Sequence, residues 1–198
     1  MRMKDRKRSF FRRICILAGI GLLLSAAIVL ITWQHGIRTS VQHASAYVQT
    51  IRSLLPEPQG AVMEERTNNA MPVLSIEGTN FIGILELPSH ASILPVCADW
   101  GHTSRQPCRF SGSIYDGTMQ IGGTSQKGQY DFYREISVGD TLFFTDMTGK
   151  RYAYAVKDIH YKKHADQAAL NGEEAALTLF IKNIHAFEYV IIFCDVLA

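Results

Sequence analysis

Two alternating runs, Thr141-Leu142-Phe143-Phe144-Thr145 and Arg151-Tyr152-Ala153-Tyr154-Ala155-Val156, are joined by Asp146-Met147-Thr148-Gly149. Side chains on a strand alternate between its two faces, so a pair like this buries one face most simply as adjacent antiparallel strands about a tight turn. The same grammar recurs from about Val73 onward. Phe81 to Pro88 and Ser92 to Val96 read as strands, as do Leu177 to Lys182 and Glu188 to Cys194. Thr118-Met119-Gln120-Ile121 reads as a short strand stopped by Gly122-Gly123. Many short strands and little helix predict a small, mostly antiparallel barrel, whose closure also removes sticky edges. Asp146 to Gly149 has the look of a metal-loop start, but no second set of oxygen ligands follows at EF-hand spacing, so a turn is expected. Gly122-Gly123-Thr124 lacks the Gly-Lys-Ser/Thr continuation of a phosphate loop. Neither a metal nor a cofactor is expected.

The N-terminal part obeys a different rule. Ile14 to Ile31 is apolar apart from Ser25, and at 1.5 Å per residue such a run can cross roughly 30 Å of hydrocarbon. Trp33 follows at the far interface, where indole is favoured. Seven cations precede the run (Arg2, Lys4, Arg6, Lys7, Arg8, Arg12 and Arg13) against one Asp5. That bias predicts a cytoplasmic N-terminus and a body facing outward. A cleaved signal peptide is the other reading, but its apolar region is usually only about 7–15 residues, and no Ala-x-Ala site stands just after the run. Removing the seven cations and Asp5 from the chain's 20 basic and 18 acidic residues leaves 13 and 17, a net −4. A basic head on a mildly acidic body points to a membrane protein and away from a nucleic-acid binder.

Arg38 to Leu55 carries apolar or small residues at Val41, Ala44, Tyr47, Val48, Ile51, Leu54 and Leu55, the spacing of one helical face. Pro56-Glu57-Pro58-Gln59-Gly60 should end that helix, and Val62 to Asn69 reads as linker. The predicted organisation is a basic cytoplasmic tail (1–13), a transmembrane helix (14–33), a stalk helix and linker (34–72) and a barrel domain (73–198). Of the four cysteines, Cys15 lies in the apolar run, while Cys97, Cys108 and Cys194 fall in the body. No Cys-x-x-Cys pair occurs, and three outer thiols allow at most one internal disulfide.

Leu177-Thr178-Leu179-Phe180-Ile181-Lys182 carries a resemblance. It is similar to the strand Thr-Leu-x-Thr-Cys of the sortase family, the membrane-anchored cysteine transpeptidases of Gram-positive-type bacteria, whose nucleophile is the final cysteine. Phe81 to Pro88 resembles that family's opening Gly-x-Leu-x-Ile-Pro strand, and Leu94-Pro95-Val96 its next strand. Phe110 to Tyr115, Val138 to Gly149 and Tyr152 to Val156 follow in family order, so the resemblance runs from about Phe81 to Val196. It implies an eight-stranded β-barrel with short helices and a His-Cys-Arg catalytic set. All three positions differ in this chain. Ile121-Gly122-Gly123-Thr124 stands where the family writes roughly Ile-Ala-Gly-His, which puts Thr124 at the histidine. Lys182 stands at the cysteine. Counting back from Cys194 puts Tyr189 at the arginine, with Glu188 the other choice.

These replacements remove the chemistry. An exposed ammonium near pH 7 has no free lone pair, and an amine that did attack an acyl group would leave a stable isopeptide. Threonine has no proton affinity near neutrality and cannot act as the general acid. Tyrosine lacks the cationic fork of arginine, and losing one oxyanion donor alone can cost about 3–4 kcal/mol of barrier. His160, His164 and His185 are expected to be loop or surface residues. The expectation is therefore a membrane-anchored, sortase-like pseudoenzyme. Its groove would be lined by Thr124, Phe180, Lys182 and Tyr189, and its partners would be a sorting-signal-type peptide, a pilin or an intact sortase. An active transpeptidase with a displaced nucleophile at Cys97, Cys108 or Cys194 is the alternative.

Overall fold

The computed structural model describes residues 3–55, 70–102, 106–164 and 174–197; within the helix, side chains are described for 19–31 and from Gln42 onward. A helix, α1, spans Met3–Leu54. The chain divides into two compact units, Met1–Thr39 and Ser40–Ala198. In the first, the described side chains from Gly19 to Ile31 are all exposed, including Leu22, Leu23, Leu24, Ile28 and Val29. Among the described residues no helix is long and apolar enough to cross a membrane; within the predicted span of 14–33, side chains are described for 19–31 alone. The side chains of Trp33, Cys15 and the basic tail are not among those described, and Pro56 to Gly60 and the linker to Asn69 lie outside the described residues.

The second unit holds nine strands: β1 (Leu74–Ile76), β2 (Thr79–Leu87), β3 (Ser92–Cys97), β4 (Cys108–Ser111), β5 (Met119–Thr124), β6 (Thr141–Asp146), β7 (Arg151–Lys162), β8 (Leu177–Asn183) and β9 (Glu188–Val196). They form one sheet in the order β1-β2-β3-β4-β5-β8-β9-β7-β6, and a further β2–β6 pairing joins its ends. Eight strands thus close a barrel, and the three-residue β1 is appended along the start of β2. Two seams are parallel, β3–β4 and β5–β8; the others are antiparallel. Two single 3-10 turns, Pro88–His90 and Trp100–His102, and the part of α1 from Ser40 onward complete the described secondary structure of this unit.

Alternation places the interior. Leu142 and Phe144, Tyr154 and Val156, Leu179 and Ile181, and Val190 and Ile192 all point into one core. β2 changes phase on the way. A register shift between Phe81 and Gly83 lets Ile82 and Leu85, three apart, both face inward, while Phe81 and Ile84 face outward. Gly83 is required there, since a Cβ would stand 2.3 Å from Cζ of Phe144. The outward side of this region is covered by α1, whose Val48 and Ile51 pack with Phe81, Ile84, Cys97 and Cys108. Of the apolar face read between Arg38 and Leu55, Tyr47, Val48, Ile51 and Leu55 make this contact, whereas Leu54 is exposed.

The turn at Asp146 is built as the sequence suggests. Its buried carboxylate accepts from Thr148 N at 2.8 Å, Thr148 Oγ1 at 2.6 Å, Lys150 N at 3.0 Å and the Tyr115 hydroxyl at 2.9 Å. One expectation fails. β5 does not stop at Gly122-Gly123 but runs through both to Thr124. The glycines serve close approach: a Cβ at Gly122 would meet the Phe180 and Trp100 rings, and one at Gly123 the ring of Tyr130.

Candidate functional site

Strand register fixes the site. On the outer face of the barrel, Gly122 of β5 pairs with Phe180 of β8, Phe180 with Ile191 of β9, and Ile191 with His160 of β7. Two residues further along, on the same face by alternation, stand Thr124, Lys182, Tyr189 and Lys162, each the register partner of the next. The three residues that the resemblance puts at the histidine, cysteine and arginine positions are therefore consecutive in one row across three adjacent strands. Glu188, the other choice for the third position, is one residue out of the row, opposite Asn183.

The end of this row is held by a polar network. Ser125 N donates to the carbonyl of Lys182 at 3.0 Å, tying the β5 exit to β8. Ser125 Oγ accepts from Ile184 N at 3.1 Å and lies 3.5 Å from Asn183 Oδ1, which accepts from His185 N at 2.9 Å. Asn183 Nδ2 donates to Glu188 at 2.8 Å. Ser125 and Asn183 are buried, so these bonds rigidify the β8–β9 turn beside the row. The backbone of Thr124 is clamped as well: its N–H donates to Gln129 Oε1 at 2.9 Å and its carbonyl accepts from Tyr130 N at 3.2 Å. The Thr124 hydroxyl is buried and has no hydrogen-bond partner among the described residues. Lys182 is exposed, and Tyr189 is half-buried.

Below the row lies an aromatic patch. Phe180 is 6% exposed because Trp100 and Phe110 cover it, with ring centroids 5.2 and 5.3 Å from its own and 4.9 Å from each other. Trp100 and Phe110 themselves remain exposed. Ile191 and Phe193 continue the cluster, and His160 sets its ring edge against Phe193 at 5.3 Å while contacting Asp158 at 3.0 Å. Backbone donation from Ile159, with help from His160, lowers the acidity range of Asp158.

The sequence reading missed Lys162 and Trp100. A register shift between Val156 and Asp158 breaks the alternation of β7, so its continuation to Lys162 leaves no periodic trace. Trp100 reaches the patch from the connection between β3 and β4, with no pattern to announce it. His185 lies exposed in the β8–β9 turn and His164 is exposed after β7.

The body's three thiols are fully buried. Cys194 points into the barrel core, where burial and then the charge of Asp195 push its thiol well above the ordinary range. Cys97 and Cys108 lie beneath α1. Among the described residues no cluster of His, Cys, Asp and Glu could hold a metal.

The described chain matches no known family profile, and no curated protein matches it. Solved structures do match. Sortase A from Corynebacterium diphtheriae superposes with a TM-score of 0.52 at 14% identity, over 82% of this chain and 84% of that one. A lid mutant of the same protein gives 0.52 at 16% identity, over 61% and 72%. Sortase C1 from Streptococcus agalactiae gives 0.51 at 15% identity, over 63% and 71%. The fold is sortase-like.

Proposed function

We propose that this chain is a membrane-anchored, sortase-like protein whose barrel faces outward, and that it is a catalytically inactive homologue that retains a groove for a sorting-signal-type peptide, a pilin or an active sortase. The observation that carries the reading is the row Thr124–Lys182–Tyr189. The family's motif order assigns these residues to the catalytic positions, and strand register brings those same three together. Their position on three adjacent strands supports that assignment. The row holds an ammonium, a hydroxyl and a phenol, which supply neither a thiolate nor an imidazole nor a guanidinium. The alternative of a displaced cysteine nucleophile is opposed by burial, because Cys97, Cys108 and Cys194 each show no exposure. The exposed apolar side chains from Leu22 to Ile31 suit a lipid-facing helix.

Binding can outlive catalysis, since contacts that hold a substrate are separable from those made only in the transition state. The test is to incubate the full-length chain in detergent or nanodiscs with an LPxTG-type peptide and an amine acceptor. The expected result is retained binding with no cleavage and no covalent adduct. Turnover, or an acyl adduct on any cysteine, overturns the inactive reading. Failure to retain peptide, pilin or sortase in a pull-down removes the binding half.

A further inference from the structure

β3 meets β4 through a single register pair, and that pair is Cys97 with Cys108. Every other seam of the barrel is stitched by three or more pairs. Beside the pair the backbone adds one bond, from Cys97 N to the Pro107 carbonyl at 2.9 Å. The thinnest join in the closed barrel is therefore bounded on both sides by a thiol. Both are fully buried among Val48, Ile51, Phe81 and Ile84, and Cys108 Sγ donates to the Gln106 carbonyl at 3.4 Å. The neighbouring Cys108 thiol, and then Gln106, hold the Cys97 thiol below its ordinary range against the opposing effect of burial. The ten residues between the two cysteines carry Trp100, which packs on Phe180 beside the row.

We propose that Cys97 and Cys108 form a disulfide in the mature protein, closing the β3–β4 seam covalently and anchoring both ends of the connection that holds Trp100 against Phe180. This inference rests on the reading that the barrel faces outward, where disulfides persist. The oxidant is the disulfide of a dithiol–disulfide oxidoreductase. As β3 and β4 come together, the Cys97 thiolate attacks one sulfur of that disulfide and a mixed disulfide forms. Cys108, losing its proton, then attacks the Cys97 sulfur and displaces the catalyst. The protein gains one S–S bond and gives up two electrons and two protons, and the catalyst leaves as its dithiol. Cys194 has no part in this, since it faces the barrel core, away from the pair.

The test uses the full chain in its membrane. The sample is quenched in acid and unfolded in detergent with a light maleimide, so that burial protects nothing. It is then reduced and labelled with a heavy maleimide, and peptides are read by mass spectrometry. Cys97 and Cys108 are expected to carry the heavy label and Cys194 the light one. Light label on Cys97 and Cys108, or a bond from either to Cys194, overturns the proposal. Reductant should lower the melting temperature by roughly 5–10 °C, and a Cys97→Ala/Cys108→Ala variant should melt near the reduced value with no response to reductant. A wild-type melting curve indifferent to reductant counts against the bond. A Val138→Cys variant, at an exposed turn, reports sidedness through a membrane-impermeant maleimide. If that site is reached from outside while the pair is free, the disulfide alone is wrong. If it is not reached, the outward reading fails, and the labels on the pair decide the disulfide separately.

Discussion

The Phe180 ring lies across Gly122 so closely that a Cβ on the glycine would stand 2.3 Å from Cζ of the ring. The indole of Trp100 closes on the same point, 2.5 Å from that Cβ. Gly122→Ala must therefore displace two large rings, and overpacking of this kind costs about 1–3 kcal/mol. The expected outcome is a drop in melting temperature together with weaker peptide binding. Gly101→Ala, where nothing lies within 4 Å of the added carbon, is the control and should be close to neutral.

A thiol placed at residue 182 should be reachable where the native ones are not. Lys182 is exposed, while Cys97, Cys108 and Cys194 are fully buried. In folded Lys182→Cys protein, iodoacetamide should modify residue 182 faster than Cys97, Cys108 or Cys194 by on the order of 100-fold or more, because buried thiols react only through opening. Combining it with Thr124→His and Tyr189→Arg should yield an acyl adduct on residue 182 with an LPxTG-type peptide. Mass spectrometry reads both outcomes, and an unmodified triple variant would show that the row is not placed for transfer.

Asp146 holds the β6–β7 turn through four accepted hydrogen bonds, one of them from Tyr115. Asp146→Ala removes the buried acceptor that these half-buried donors share and should cost about 3 kcal/mol in chemical denaturation. Asp146→Asn keeps one carbonyl oxygen to accept and should cost less.

Stability should decline at alkaline pH. Burial, followed by the charge of Cys194, raises the Tyr154 phenol to about 12, and Cys194 and Tyr130 are shifted upward too. A raised folded-state value means that the unfolded chain loses its proton first, so the stabilisation is complete below the unfolded value and is lost as pH rises through the folded one. For Tyr154 the window runs from about pH 10 in the unfolded chain to about pH 12. Its share is about 3 kcal/mol at most. Tyr154→Phe should flatten the melting curve's pH dependence across that window.

The Tyr130 hydroxyl is buried and has no hydrogen-bond partner among the described residues. A buried polar group left unpaired is destabilising, so Tyr130→Phe should raise stability by about 1 kcal/mol. Equilibrium denaturation measures it, and a loss of stability would mean that a water or another partner serves the hydroxyl.

Much of the barrel is legible before any coordinates. Leu142, Phe144, Tyr154 and Val156 alternate with outward neighbours, and Asp146 to Gly149 marks their turn, because period and turn chemistry are local properties of the chain. Gly122 and Gly123 mislead the local reading. Glycine looks like a stop, and only the folded positions of the Phe180, Trp100 and Tyr130 rings make it a requirement inside the strand. Lys162 is hidden for a related reason, since the irregularity at Val156–Asp158 breaks the two-residue period that would have extended β7.

The order of residues alone determined which side chains stand at the ends of β5 and β8 and the start of β9, and hence which chemical groups are available there. Their meeting in one row was decided by the parallel β5–β8 seam and the β8–β9 hairpin, which bring Thr124 and Tyr189 to either side of Lys182. The same holds for Cys97 and Cys108 at the β3–β4 join. Side-chain identity is written along the chain, but register between strands depends on the whole barrel closing at once, and no segment carries that information by itself.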